Sequence, residues 1–156
     1  MEKLGAEVTV AGSLAEAYDG GGDEDARLLN VSVRSQVGTD SEVLIAGFVI
    51  DGPLTLLVRG EGPALTDFGV NGALVDPVLQ LYDSHGWLAQ SDDLGTISDA
   101  TEIAAEADGL GALLLPEAGV DAALIVTLSA GVYSAVVTGN NGGTGVGLVE
   151  IYVLSP

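Results

Sequence analysis

Asp83, Asp92 and Asp93, with Asp99 and Glu102 close behind, are the residues of this chain whose type and grouping suit chemistry. Carboxylates gathered on loops can hold a hard cation, and calcium takes about six to eight oxygens from such segments. The regular EF-hand spacing is absent. The metal candidates are therefore Asp83, Asp92 and Asp93, set against the plainer reading that loop aspartates hydrogen-bond their own turns. Asp19, Asp23, Glu24 and Asp25 form a second acidic group open to the same two readings.

Other chemistries lack their parts. His85 is the only histidine and falls in an expected tight turn, Ser84-His85-Gly86. A lone imidazole without an orienting partner is not a catalytic triad, and no Gly-x-Ser-x-Gly elbow occurs. The chain has no cysteine, which excludes a disulfide and a thiolate nucleophile, and one histidine alone cannot build a zinc site. A glycosidase would use paired carboxylates, but it also needs aromatic platforms in a cleft. The few aromatics here fall mostly on strands, where they pack a core. The chain reads as a non-enzyme that requires no cofactor, with calcium the ion its carboxylates would take.

Charge narrows the partners. The formal net charge is -19, with Lys3, Arg27, Arg34 and Arg59 the only basic residues. Nucleic-acid binding needs Lys and Arg to neutralise phosphate, so it is excluded as an expectation. An anionic membrane surface is disfavoured for the same reason. No long uncharged apolar run is present, so no membrane span is expected. Met1-Glu2-Lys3-Leu4 does not open a signal peptide, which suits either a cytoplasmic chain or a mature, processed one.

The elements that would position these residues are strands. A chain of 156 residues with 47% hydrophobic and only 4% aromatic residues suits one domain of many short strands and tight turns. The stretch Val43 to Arg59 is the expected centre. Val43 to Ile50 is almost unbroken apolar sequence, which suits a strand buried on both faces. Asp51-Gly52-Pro53 is a turn signal, and Leu54 to Arg59 returns as the second arm of a hairpin. Leu29 to Arg34, Val78 to Asp83, Trp87 to Gln90, Gly111 to Leu115, Asp121 to Leu128, Val132 to Thr138 and Gly147 to Leu154 are further strands. Asn140 to Thr144 reads as a hairpin turn. Asp99 and Glu102 could open a short helix. Eight to nine strands at such intervals predict an all-β, antiparallel two-sheet sandwich over residues 26–156.

Residues 1–25 stand apart. Leu4, Ala6, Val8 and Val10 alternate with smaller or polar residues, a period-2 strand signal. An acidic, Gly-rich joint follows at Asp19 to Asp25. One reading is an ordinary first strand that folds back on its own sheet. The other is an extended arm donated to a neighbouring subunit, with Leu4, Ala6, Val8 and Val10 as interface residues.

Asp76-Pro77-Val78-Leu79-Gln80-Leu81-Tyr82-Asp83, followed by Gly86-Trp87-Leu88 and Ser91-Asp92-Asp93, resembles the bacterial pre-peptidase C-terminal domain. Leu128-Ser129-Ala130-Gly131-Val132-Tyr133 is similar to that family's Leu-x-x-Gly-x-Tyr turn. The likeness covers about half the chain, from Asp76 onward, and Ser91 stands where the family often has Asn. The first half, through Leu44 to Gly52 and Leu56 to Val70, resembles β-rich modules of large bacterial surface proteins. These resemblances imply a secreted or cell-surface, non-catalytic, jelly-roll-like module. The expected function is then a structural subunit that self-assembles into a homopolymeric surface filament through its N-terminal arm. The alternative is an accessory binding or adhesion module, calcium-stabilised, that touches a carbohydrate or a protein.

Overall fold

Side chains that alternate along each strand give every sheet here one face for the core, and two such faces close on each other. The computed structural model describes residues 4–5, 14–19, 28–50, 52–93, 100–110 and 119–155. The strands are β1 (Leu4–Gly5), β2 (Leu14–Asp19), β3 (Leu28–Val37), β4 (Leu44–Ile50), β5 (Leu54–Glu61), β6 (Pro77–Asp83), β7 (Gly86–Ser91), β8 (Ala122–Leu128), β9 (Gly131–Gly139) and β10 (Gly145–Ser155). Among the described residues an α-helix, α1 (Ala100–Gly109), lies between β7 and β8.

Every pairing between the described strands is antiparallel. The first sheet runs β1-β4-β9-β6-β7 and the second β2-β3-β10-β5-β8. Without β1 and β2, the orders β4-β9-β6-β7 and β3-β10-β5-β8 are those of an eight-stranded jelly roll. The all-β sandwich read from the sequence is the fold. The two N-terminal strands extend one edge of each sheet, with Leu4 opposite Ile50 and Ala15 opposite Val33.

The core lies between the layers. Val31, Val33, Leu56, Val58, Val149 and Ile151 of the second sheet face Ala46, Phe48, Leu79, Leu81, Ala135 and Val137 of the first. A smaller apolar cluster lies on the outer face of the second sheet. There α1 packs Ile103 and Ala107 on Leu57, Ala123 and Tyr152.

Two expected hairpins are not formed. β4 and β5 belong to different sheets, so the Gly52-Pro53 turn carries the chain from one layer to the other. Likewise β9 and β10 lie in opposite layers, joined by a 3-10 turn at Asn140–Gly142. A turn signal reports a reversal and not which sheet receives the next strand. Nor is β4 buried on both faces: Ile45 and Val49 are 44% and 40% exposed. A continuous apolar run cannot by itself distinguish two-sided burial from an apolar outer face. The β6–β7 hairpin around Ser84-His85 does form. The helix near Glu102 is α1, while the expected strand at 111–115 lies outside the described residues.

Candidate functional site

The β6–β7 hairpin decides which carboxylates meet. Asp76 precedes β6 and Asp92-Asp93 follows β7, so antiparallel pairing brings the start of one strand beside the end of the other. One carboxylate oxygen from each of Asp76, Asp92 and Asp93 lies within 4.8 Å of the others. Asn140 joins from the end of β9. Its Nδ2 donates to Asp76 Oδ2 at 2.9 Å, and its backbone N–H donates to the Asp76 carbonyl at 2.8 Å. Asp76 Oδ1 and Asp92 Oδ1 are shielded from solvent and accept no hydrogen bond. Burial pushes the Asp92 carboxyl above its ordinary value, and the charges of Asp93 and Asp76 push the same way.

Of the sequence candidates, Asp92 and Asp93 fall in this group and Asp83 does not. Asp83 sits at the hairpin tip, where Oδ1 accepts the backbone N–H of His85 at 2.7 Å and of Gly86 at 3.0 Å. Its turn role is the one short loop aspartates often play. Asp76 was not singled out from sequence, although its place just before a strand that hairpins back to Asp92 is a usable signal. Asp99 and the acidic residues at 23–25 lie outside the described residues.

Ser84, His85 and Asp83 are adjacent but do not form a triad. Ser84 Oγ lies 3.3 Å and Asp83 Oδ1 3.8 Å from the same ring atom, His85 Nδ1. A relay needs the two partners on opposite ring nitrogens, and the side chain is 90% exposed. The Asp76–Asp92–Asp93 group also departs from a glycosidase pair. Its oxygens are too close for a sugar to enter between an acid and a base, which stand roughly 5 Å or more apart with substrate between them. Three converging carboxylates do suit a hard cation, supplying part of the oxygen shell that calcium takes.

A second ionic group was not anticipated from sequence. Arg59 and Glu61 are fully buried on the outer face of the second sheet, beside Glu150 on β10. Arg59 Nε donates to Glu61 Oε1 at 2.7 Å, Nη2 contacts the same oxygen, and Nη2 lies 3.4 Å from Glu150 Oε2. Burial pushes the Glu61 carboxyl well above the usual carboxylate range. The Glu150 charge adds to the shift, and Arg59 opposes it. Burial and then Glu150 also hold the Tyr152 phenol above its ordinary value. Here two carboxylates face one guanidinium away from water, so retention of a proton relieves the excess charge.

Of the four interface candidates, Leu4 pairs with Ile50 at the edge of the first sheet, while Ala6, Val8 and Val10 lie outside the described residues. No described helix is long and apolar enough to cross a membrane. No family model matches this chain, and no curated protein matches it.

Proposed function

We propose that this chain is a non-catalytic structural subunit of an extracellular or cell-surface assembly, joined to its neighbours by exchange of the N-terminal arm. The observation that carries the reading is the placement of β1 and β2. In one chain they occupy the β4 edge of one sheet and the β3 edge of the other. Those two edges are the seats a neighbour's arm would fill by the same backbone hydrogen bonds. In sequence, Gly20-Gly21-Gly22 and the acidic residues after them read as a hinge between arm and body. Head-to-tail exchange whose rotation does not close builds filaments, and that is the assembly proposed.

The test is a substitution in the arm. Val8→Asp places a carboxylate where an apolar side chain would enter a neighbour's sheet edge, and burying a lone carboxylate costs several kcal/mol. Assembly should be lost while the monomer stays folded. Normal assembly by Val8→Asp would show that this face of the arm makes no contact.

A second reading is supported by the Asp76–Asp92–Asp93 group: an accessory module in which calcium ties the start of β6 to the end of β7. In that reading the three carboxylates are the ligands and the ion does no chemistry. It neutralises their mutual repulsion and steadies the loop after β7.

A further inference from the structure

The outer face of the β4-β9-β6-β7 sheet presents no side chain that is charged at neutral pH. Along β4, β6 and β9 each outward position is aliphatic, aromatic, amide, hydroxyl or glycine. In a chain of net charge -19 that is a marked local departure. On the other sheet's outer face α1 packs over Leu57, Ala123 and Tyr152. This one is open: Val132 is 61% and Trp87 59% exposed. Large apolar side chains grouped on an open sheet face mark a contact surface.

One cross-strand row indicates what fits there. Gly47 stands opposite Ser134, Ser134 opposite Tyr82, and Tyr82 opposite Trp87. The row climbs from no side chain, through a hydroxyl, to two large rings. Gly47 is a notch walled along its strand by the exposed Ile45 and Val49. Consider a twofold axis in the plane of contact, running along the strands between β9 and β6. It lays the large end of one row over the small end of the other. We propose that this face packs on the same face of a second copy about that axis, with each Trp87 seated in the Gly47 notch of the other.

Three further points favour a second copy. The contact is isologous, so one surface supplies both the protrusion and its recess. The central polar side chains bond one another, Tyr82 Oη to Gln80 Oε1 and Gln80 Nε2 to Gln90 Oε1, each at 3.0 Å. That reduces the polar desolvation a dry contact incurs. An uncharged face also lets two strongly anionic copies approach where repulsion is least. With strands about 4.8 Å apart and a rise of about 3.4 Å per residue, the face projects to roughly 400–500 Å². That is the low end for specific contacts, so the pairing is reversible and concentration-dependent. Salt should strengthen it, because screening weakens the repulsion of the remaining charge. The pairing makes no use of the N-terminal arm.

Trp87 is the chain's only tryptophan, so its emission reports the contact directly. The full-length Val8→Asp chain, which the arm-exchange reading holds free of filaments, is diluted at low and at high salt, with sedimentation and Trp87 emission followed together. Dimers at high concentration, a red shift of emission on dilution, and tighter pairing in salt are expected. Gly47→Leu fills the notch, at a position on β4 opposite Ser134. It should weaken pairing roughly tenfold or more and leave Trp87 emission red-shifted at every concentration. Val132→Lys, at an open position, should weaken pairing with unchanged thermal stability. A monomer whose emission is constant at all concentrations overturns the proposal, as does a Gly47→Leu variant that pairs like the parent. A monomer whose Trp87 emission shifts on adding a soluble neutral polysaccharide also overturns it, and assigns the face to sugar.

Discussion

Arg59 and Glu61, two residues apart on β5, point to the same outer face of their sheet and meet there as a fully buried ion pair. The alternation of β5 requires this, since Leu56 and Val58 take the inward positions. Two buried carboxylates share one cation here, so the costly change is loss of Arg59, which leaves Glu61 and Glu150 side by side without a counter-charge. Arg59→Met should therefore cost about 3–5 kcal/mol in denaturant unfolding, and Glu61→Gln, which leaves Arg59 its Glu150 partner, much less. Equal losses for the two variants would contradict that reading.

The pH dependence has a definite sign. Burial holds Glu61 well above the usual carboxylate range when folded and raises Asp92 from its ordinary value. Each group then binds its proton more tightly in the folded than in the unfolded chain. Its stabilisation is fully present below the unfolded value and is lost as pH rises through the folded one. Thermal stability should fall as pH rises from the acid side of that window, and Glu61→Gln should flatten the fall. A Glu61→Gln profile parallel to the parent's would assign the dependence to other groups.

The Asp76–Asp92–Asp93 cluster predicts two linked effects. Asp92→Asn removes one of three converging charges, so it should raise stability at neutral pH by up to about 1 kcal/mol, with the gain disappearing in acid. In the parent, millimolar calcium should raise the melting temperature, and Asp92→Asn should lose most of that rise. Calorimetry showing no heat on titration, with a melting temperature indifferent to calcium, would leave the cluster as a repulsive feature of the loop.

Two side chains pin connections between the layers. Tyr133 stacks on Phe48 with centroids 5.6 Å apart, and its hydroxyl donates to the Ser129 carbonyl at 2.7 Å. Tyr133→Phe should keep the stacking and cost about 1 kcal/mol, the usual value of one such bond. Asp121, buried just before β8, accepts the backbone N–H of Gly62 at 2.9 Å and of Ala64 at 3.3 Å, at the start of the 3-10 segment Pro63–Phe68. Asp121→Ala leaves both donors buried and unpaired, at a cost of about 2–4 kcal/mol by denaturant unfolding. If it proves as mild as Tyr133→Phe, that connection is held by packing alone.

The two-layer fold was legible because period-2 alternation at Leu29 to Arg34 and at Val78 to Asp83 reports one buried face directly. The reversal at Ser84-His85-Gly86 was legible as a turn, and there the two strands do stay paired in one sheet as β6 and β7. Layer assignment was not. Gly52-Pro53 and Asn140-Asn141-Gly142 announce reversals, and only long-range pairing decides that each crosses between sheets. The burial of Arg59 was hidden for a related reason, since what covers the outer face of β5 comes from elsewhere in the chain. Asp92 and Asp93 were visible as loop carboxylates. Their partner Asp76 lies far away in sequence and needed the hairpin to bring it near. Gly62 shows the same dependence: a Cβ there would meet the Leu74 carbonyl at 2.1 Å, a contact no local pattern announces.

The most direct test of assembly through the arm is the particle size of the full chain beside a variant lacking residues 1–25, by light scattering and electron microscopy. Filaments that lengthen with concentration for the full chain, and nothing larger than a face-to-face dimer for the shortened one, are the expected result. Filaments of equal length from both, or no particle larger than a dimer from either at any concentration, would contradict it.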